Sequence, residues 1–187
     1  MRIIIIIILS IVTYNISAQS FGLKGGLAMT NAVGTDVEDN SSRTGFYFGG
    51  FMQFSEGNNI QYMPQIIFHQ KGGKTGSSST ENELVLNYID LGMNAHFHIN
   101  DEFFLVVGPS LSYLASAVSK NGSQSSTISE WDGWNRTEFG ANLGAGYKIN
   151  DLFHFNMNYG LGFTNVYDNL SVRNTSLQIG IGYVFSY

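Results

Sequence analysis

Four histidines are the residues in this chain best suited to chemistry, and their spacing limits what that chemistry could be. His96 and His98 stand two apart in an alternating segment, which puts both imidazoles on one face of a strand. His69 and His154 lie in two other segments with the same parity. Paired imidazoles can serve one metal ion. The chain has no cysteine, and no carboxylate completes a ligand set by spacing. The preferred reading is therefore an enclosed polar interior whose side chains satisfy one another, with no metal and no cofactor.

Lys24, Asp90, Glu102, Glu138 and Lys148 share the histidines' inward parity. Charges enclosed in a narrow space must pair. Lys24, Asp90, Glu138, Lys148, His96 and His98 are thus expected to form one interior network, a structural plug in preference to an ion path. Ser110 and Ser112 also point inward, on the strand next to His96 and His98, but no nucleophile-elbow motif accompanies them, so no catalytic residues are assigned. Trp131, Trp134 and Tyr167 fall between strands, where exposed aromatics mark either a contact surface or a membrane-interface belt.

Strands must position these residues, because the sequence alternates. In Ser176–Tyr187 the residues Leu177, Ile179, Ile181, Tyr183, Phe185 and Tyr187 face one way, and the opposite face is small and neutral. A strand in water would carry charge on one face, whereas a strand between lipid and a narrow lumen reads like this one. The same pattern predicts strands over Phe21–Thr30, Thr44–Phe54, Asn59–Gln70, Leu84–Ile99, Glu102–Ala117, Arg136–Ile149, Leu152–Asn165 and Val172–Tyr187. Pro64, which has no N–H, should interrupt one ladder. Long connections (Asn31–Arg43, Lys71–Glu83, Ser119–Asn135) alternate with tight turns at Ser55–Asn58, Asn100-Asp101 and Asn150-Asp151. An even strand count with long and short connections in alternation predicts an all-β, eight-stranded, antiparallel up-and-down transmembrane barrel. Closure removes edges that lipid could not satisfy, and eight strands leave an interior that side chains fill.

Composition agrees. Charged residues make up 12%, glycines number 22, and aromatics reach 14%, as expected when much of the surface meets lipid. The net charge of −5 argues against a nucleic-acid partner. Met1–Ala18 carries one basic residue, Arg2, then the apolar run Ile3–Val12, then small residues before Gln19. This order predicts a signal peptide over 1–18, too short for a membrane anchor, and a barrel domain over 19–187.

The segment Phe21-Gly22-Leu23-Lys24-Gly25-Gly26-Leu27, the hairpin containing Tyr88-Ile89-Asp90-Leu91 and Gly108-Pro109-Ser110-Leu111-Ser112-Tyr113-Leu114, and the ending Gly180-Ile181-Gly182-Tyr183-Val184-Phe185 resemble the PorT-type outer-membrane β-barrel family of Bacteroidota. The resemblance implies an eight-stranded barrel in the outer membrane and brings no shared chemistry. The expected function is a structural or surface-interaction role with external loops as the contact surface. Expected partners are outer-membrane lipid, the barrel-assembly machinery, and an unidentified surface ligand or protein. A soluble periplasmic lipocalin-like barrel binding an apolar ligand is the alternative, and a lipid-modifying enzyme is a more distant one.

Overall fold

A computed structural model describes residues 19–37, 40–56, 59–75, 82–122 and 124–185. The expected leader over 1–18 lies outside the described residues. Among the described residues ten strands form: β1 (Gln19–Val33), β2 (Asn40–Ser41), β3 (Arg43–Glu56), β4 (Ile60–Thr75), β5 (Asn82–His98), β6 (Phe103–Asn121), β7 (Gln124–Ile128), β8 (Thr137–Lys148), β9 (Phe153–Gly162) and β10 (Arg173–Phe185). Eight of them close a ring in the order β4-β3-β1-β10-β9-β8-β6-β5, sealed by the β4–β5 pairing. All ring neighbours are antiparallel, and β1 pairs with β10 from Phe21↔Phe185 to Val33↔Arg173. The remaining two strands are short additions: β2 pairs with the end of β4, and β7 folds back on β6.

The period-2 pattern sets the two faces. Leu27 is 63% exposed, Leu23 56%, Phe139 61% and Ile181 52%, and all four point out of the ring. Lys24, His69, Asp90, Asn142 and Asn156 alternate with them and are buried inside. The outer belt is apolar and the interior polar, the arrangement lipid requires and the reverse of a soluble ligand carrier. Three lumen rings pack where a neighbouring strand has only glycine. Phe51 covers Gly22, Phe104 covers Gly146 and His154 covers Gly182, and in each case a Cβ would collide with the ring.

The short turns at Asn100-Asp101 and Asn150-Asp151 share one device, while the expected turn at Ser55–Asn58 lies partly outside the described residues. Asn100 Oδ1 accepts hydrogen bonds from the N–H groups of Glu102 and Phe103 at 3.0 and 2.7 Å, and Asn150 Oδ1 does the same for Leu152 and Phe153 at 2.9 and 2.8 Å. An asparagine side chain that bonds its own backbone two residues on is a turn former. At Pro64 the β3–β4 ladder lapses as expected, passing from Phe51↔Gln65 directly to Phe54↔Tyr62.

The strands outrun their predicted ends on the long-loop side. The stretch Lys71–Glu83, read as a loop, contributes its first five residues to β4 and its last two to β5. Asn31–Arg43 and Ser119–Asn135 likewise give residues to β1, β2, β3, β6 and β7. Val85, which shares the odd parity of the outward Leu91 and Met93, is buried. The β5–β6 register shifts by one residue between Asn87↔Ser116 and Tyr88↔Leu114, which leaves Ala115 unpaired and reverses the facing of β6 beyond it, so that Leu114 and Ala117, three apart, both join the cluster of Leu86 and Tyr88. Opposite Val85, Gly72 has φ +118°, a conformation that favours glycine.

Candidate functional site: the lumen and its two ends

The lumen is built in layers. Its central layer gathers residues from β4, β5, β6, β8 and β10. Lys71 Nζ lies 2.7 Å from Glu138 Oε1 and 3.4 Å from Asp90 Oδ1, and donates to Ser112 Oγ at 2.9 Å. His69 Nδ1 meets Asp90 Oδ2 at 2.9 Å. Asn174 Nδ2 donates to Glu138 Oε2 at 2.6 Å and to the Tyr88 hydroxyl at 3.3 Å. The Lys71 ammonium also sits 4.6 Å from the centre of the Tyr88 ring. One ammonium thus bridges two buried carboxylates, and each carboxylate has a further partner, which is the condition under which buried charge is tolerated. The remaining cavity here is about 10 Å³, room for one water at most.

Toward the long loops, Arg43 Nε meets Glu83 Oε1 at 2.5 Å, and Lys120 reaches Glu83 Oε2 at 3.6 Å. Gln70, Asn87 and Ser116 continue the hydrogen-bonding at 3.1 and 2.9 Å. Above them an apolar cluster of Leu86, Tyr88, Leu114, Ala117 and Val166 closes the end. Trp131, Trp134 and Tyr167 pack against that cluster. Their rings are 5.9 Å apart for Trp131–Trp134 and 4.4 Å for Trp134–Tyr167, and Arg136 lies 4.7 Å from the ring centres of both Tyr113 and Trp131. Two loops are joined there, with Asn135 N–H donating to Val166 O at 2.9 Å and Asp168 N–H to Gly133 O at 3.0 Å. Burial raises the Tyr167 phenol above its ordinary range. The three loop aromatics are therefore half-buried parts of a cap, not freely projecting rings.

Toward the short turns the layer is aromatic. His96 stacks on Phe104 at 4.6 Å, Phe51 meets His154 at 5.6 Å, and Phe104 meets His154 at 6.1 Å. Below this layer a cavity of about 460 Å³ is lined by residues that include Gln53, Gln61, His96, His98, Lys148 and His154.

The six residues expected to form one network are thus divided. Asp90 and Glu138 lie in the central cluster. Lys24 is buried but makes no ion pair or hydrogen bond among the described residues. His96 and His98 belong to the aromatic layer and the cavity beneath it. Lys148 sits at the rim and pairs with Asp151 at 2.8 Å, because it is the last residue of β8 and reaches the adjacent turn instead of the lumen centre. That contact holds the Asp151 carboxyl below its ordinary range. Glu102, also assigned inward, is exposed in a turn. Lys71, His69 and Arg43 were missing from the expected set. Ile67, His69 and Lys71 continue one inward alternation, and that signal would have found Lys71. Ser112 is held by Lys71, and the histidine closest to a carboxylate is His69, so no Ser–His pair forms from Ser110 or Ser112 with His96 or His98 among the described residues.

A family model described as "Outer membrane protein beta-barrel domain" matches residues 17–168. Among curated proteins none matches this chain by sequence. The structure is similar to that of Neisserial surface protein A, with a TM-score of 0.60, 17% identity, and coverage of 90% of this chain and 100% of that one. It is also similar to Ail, the attachment invasion locus protein of Yersinia pestis, with a TM-score of 0.54, 16% identity, and coverage of 90% and 100%.

Proposed function

Because this chain belongs to the outer membrane protein beta-barrel domain family and resides in the outer membrane, we propose that it is a non-catalytic barrel whose work is done by its external loops. The single observation that carries this reading is the sealed long-loop half of the lumen. Paired ions fill its centre, and the Trp131–Trp134–Tyr167 cap closes it above. Among the described residues a lumen filled in this way leaves no route for solutes from outside, which makes the loop surface its means of contact. The long connections face the exterior and the Asn100 and Asn150 turns face the periplasm, following the usual asymmetry of such barrels.

The finer parts of the reading rest on sequence. PorT-type membership in a Bacteroidota envelope is supported by the Phe21–Leu27 and Gly180–Phe185 segments, and the leader over 1–18 by its basic, apolar and small-residue order. The barrel-assembly machinery would receive the chain through β10, whose unpaired edge can add to another sheet before it closes on β1. Two measurements test the proposal together: planar-bilayer conductance of the purified protein, and adhesion of cells carrying either the intact chain or one lacking the Gln124–Ile128 hairpin. The proposal expects no steady conductance, and reduced adhesion with the barrel still heat-modifiable on gels. Steady conductance together with unchanged adhesion would replace it with transport.

A further inference from the structure

The cavity at the short-turn end has a chemistry that the loop reading does not use. His96, His98 and His154 all line it, and none of their ring nitrogens has a hydrogen-bond partner among the described residues. His98 Nε2 is buried and unpaired. His69, by contrast, is anchored to Asp90 and takes no part in this cavity. Lys24, buried and without a carboxylate, is the charged neighbour of both His96 and His154, and Lys148 is that of His98. Asp101 and Asp151 also line the cavity, but at the turns, and Asp151 is engaged by Lys148. Lys24 is thus the cation beside His96 and His154 that no carboxylate engages among the described residues, whereas Lys148, beside His98, is paired with Asp151.

We propose that this cavity is a binding site for a small oxyanion, a phosphate or carboxylate group, entering from the short-turn side. Three observations converge. Imidazoles in the wall of a cavity without hydrogen-bond partners can still take acceptors, and a buried donor left unpaired is costly. A buried ammonium without a counter-charge is a site for an anion, since an unpaired ionisable group at membrane depth is costly and functional by default. The cavity, about 460 Å³, is large enough for a phosphate or a small carboxylic acid with its water. Gln53, Gln61 and Ser20 supply further polar groups on the wall. Lys24, which does not line the cavity itself, adds positive charge beside His96 and His154, and the imidazoles and amides make the contacts.

The test uses the full mature chain in lipid nanodiscs. Sodium phosphate and sodium acetate are each titrated at constant ionic strength against sodium chloride, and the imidazole resonances of all four histidines are followed by NMR. The inference expects saturable shifts at His96, His98 and His154, none at His69, and none with chloride alone. His154→Gln should weaken the response roughly tenfold, as loss of a charge-assisted hydrogen bond does. Lys24→Met, which removes only the charge beside the rings, should also weaken it while leaving the fold intact by heat-modifiable migration. Absence of saturation with both probes in the wild-type chain would overturn the site. So would equal shifts at His69, or a response that Lys24→Met leaves unchanged. A response to phosphate without acetate assigns the site to phosphate groups, and the reverse assigns it to carboxylates.

Discussion

The two halves of the lumen solve the same problem in opposite ways. Both bury a lysine at membrane depth. In the half near the long loops, Lys71 is held by Glu138, Asp90, Ser112 and the Tyr88 ring, and the space left over is about 10 Å³. In the half near the short turns, Lys24 has no carboxylate, its neighbours are histidines, and a cavity of about 460 Å³ opens below them. Polarity alone does not say what a barrel interior does. Paired charge with no space is a plug, whereas unpaired donors beside open space have capacity to bind.

The largest effect should come from breaking the paired half. Lys71→Met leaves Asp90 and Glu138 facing each other without their shared cation, and should cost about 3–5 kcal/mol, read by urea titration in lipid. Leu143→Arg tests the lipid belt that both halves share. Leu143 is 49% exposed on the outer face, and the change should cost about 2–4 kcal/mol if the residue lies at the bilayer midplane. Gly146→Val would displace the Phe104 ring on which His96 stacks, at about 1–3 kcal/mol, and should perturb the His96 resonance more than that of His69. The smallest effect should be that of Lys24→Met, neutral or stabilising, because it removes a buried charge that has no partner to abandon. A Lys24→Met cost as large as that of Lys71→Met would erase the distinction between the halves.

The sequence carried the fold further than it carried the site. Strand parity separated the apolar face from the polar one, since residues such as Leu177, Ile179, Ile181, Tyr183 and Phe185 repeat every second residue with no charge among them. The two Asn-Asp turns were legible because the side chain itself makes the turn. The interior network was only half legible. Asp90 and Glu138 were identified by parity, but their cation was not, because Lys71 opens a Gly/Ser/Thr-rich stretch in which loop composition hides a strand. Lys148 and Glu102 have inward parity but stand at strand ends, where a side chain can turn to its own hairpin. Val85 shares the odd parity of the outward Leu91 and Met93 yet is buried near the loop end, whereas on β6 the unpaired Ala115 moves the inward set from Leu114 to Ala117. Parity identifies the face within a regular stretch. It does not count across a bulge, give depth along the strand, or identify the cross-lumen partner.

Solvent access tests the contrast between the halves most directly, and the absence of native cysteine makes the measurement clean. Gln61→Cys places a thiol in the short-turn cavity, and Ser112→Cys places one beside Lys71 in the central cluster. Each variant, folded in nanodiscs, would be treated with a small charged thiol reagent and its labelling rate measured. The account predicts rapid labelling at position 61 and none at position 112 until the protein is unfolded. Equal labelling of the two folded variants, or labelling at position 112 alone, would contradict it.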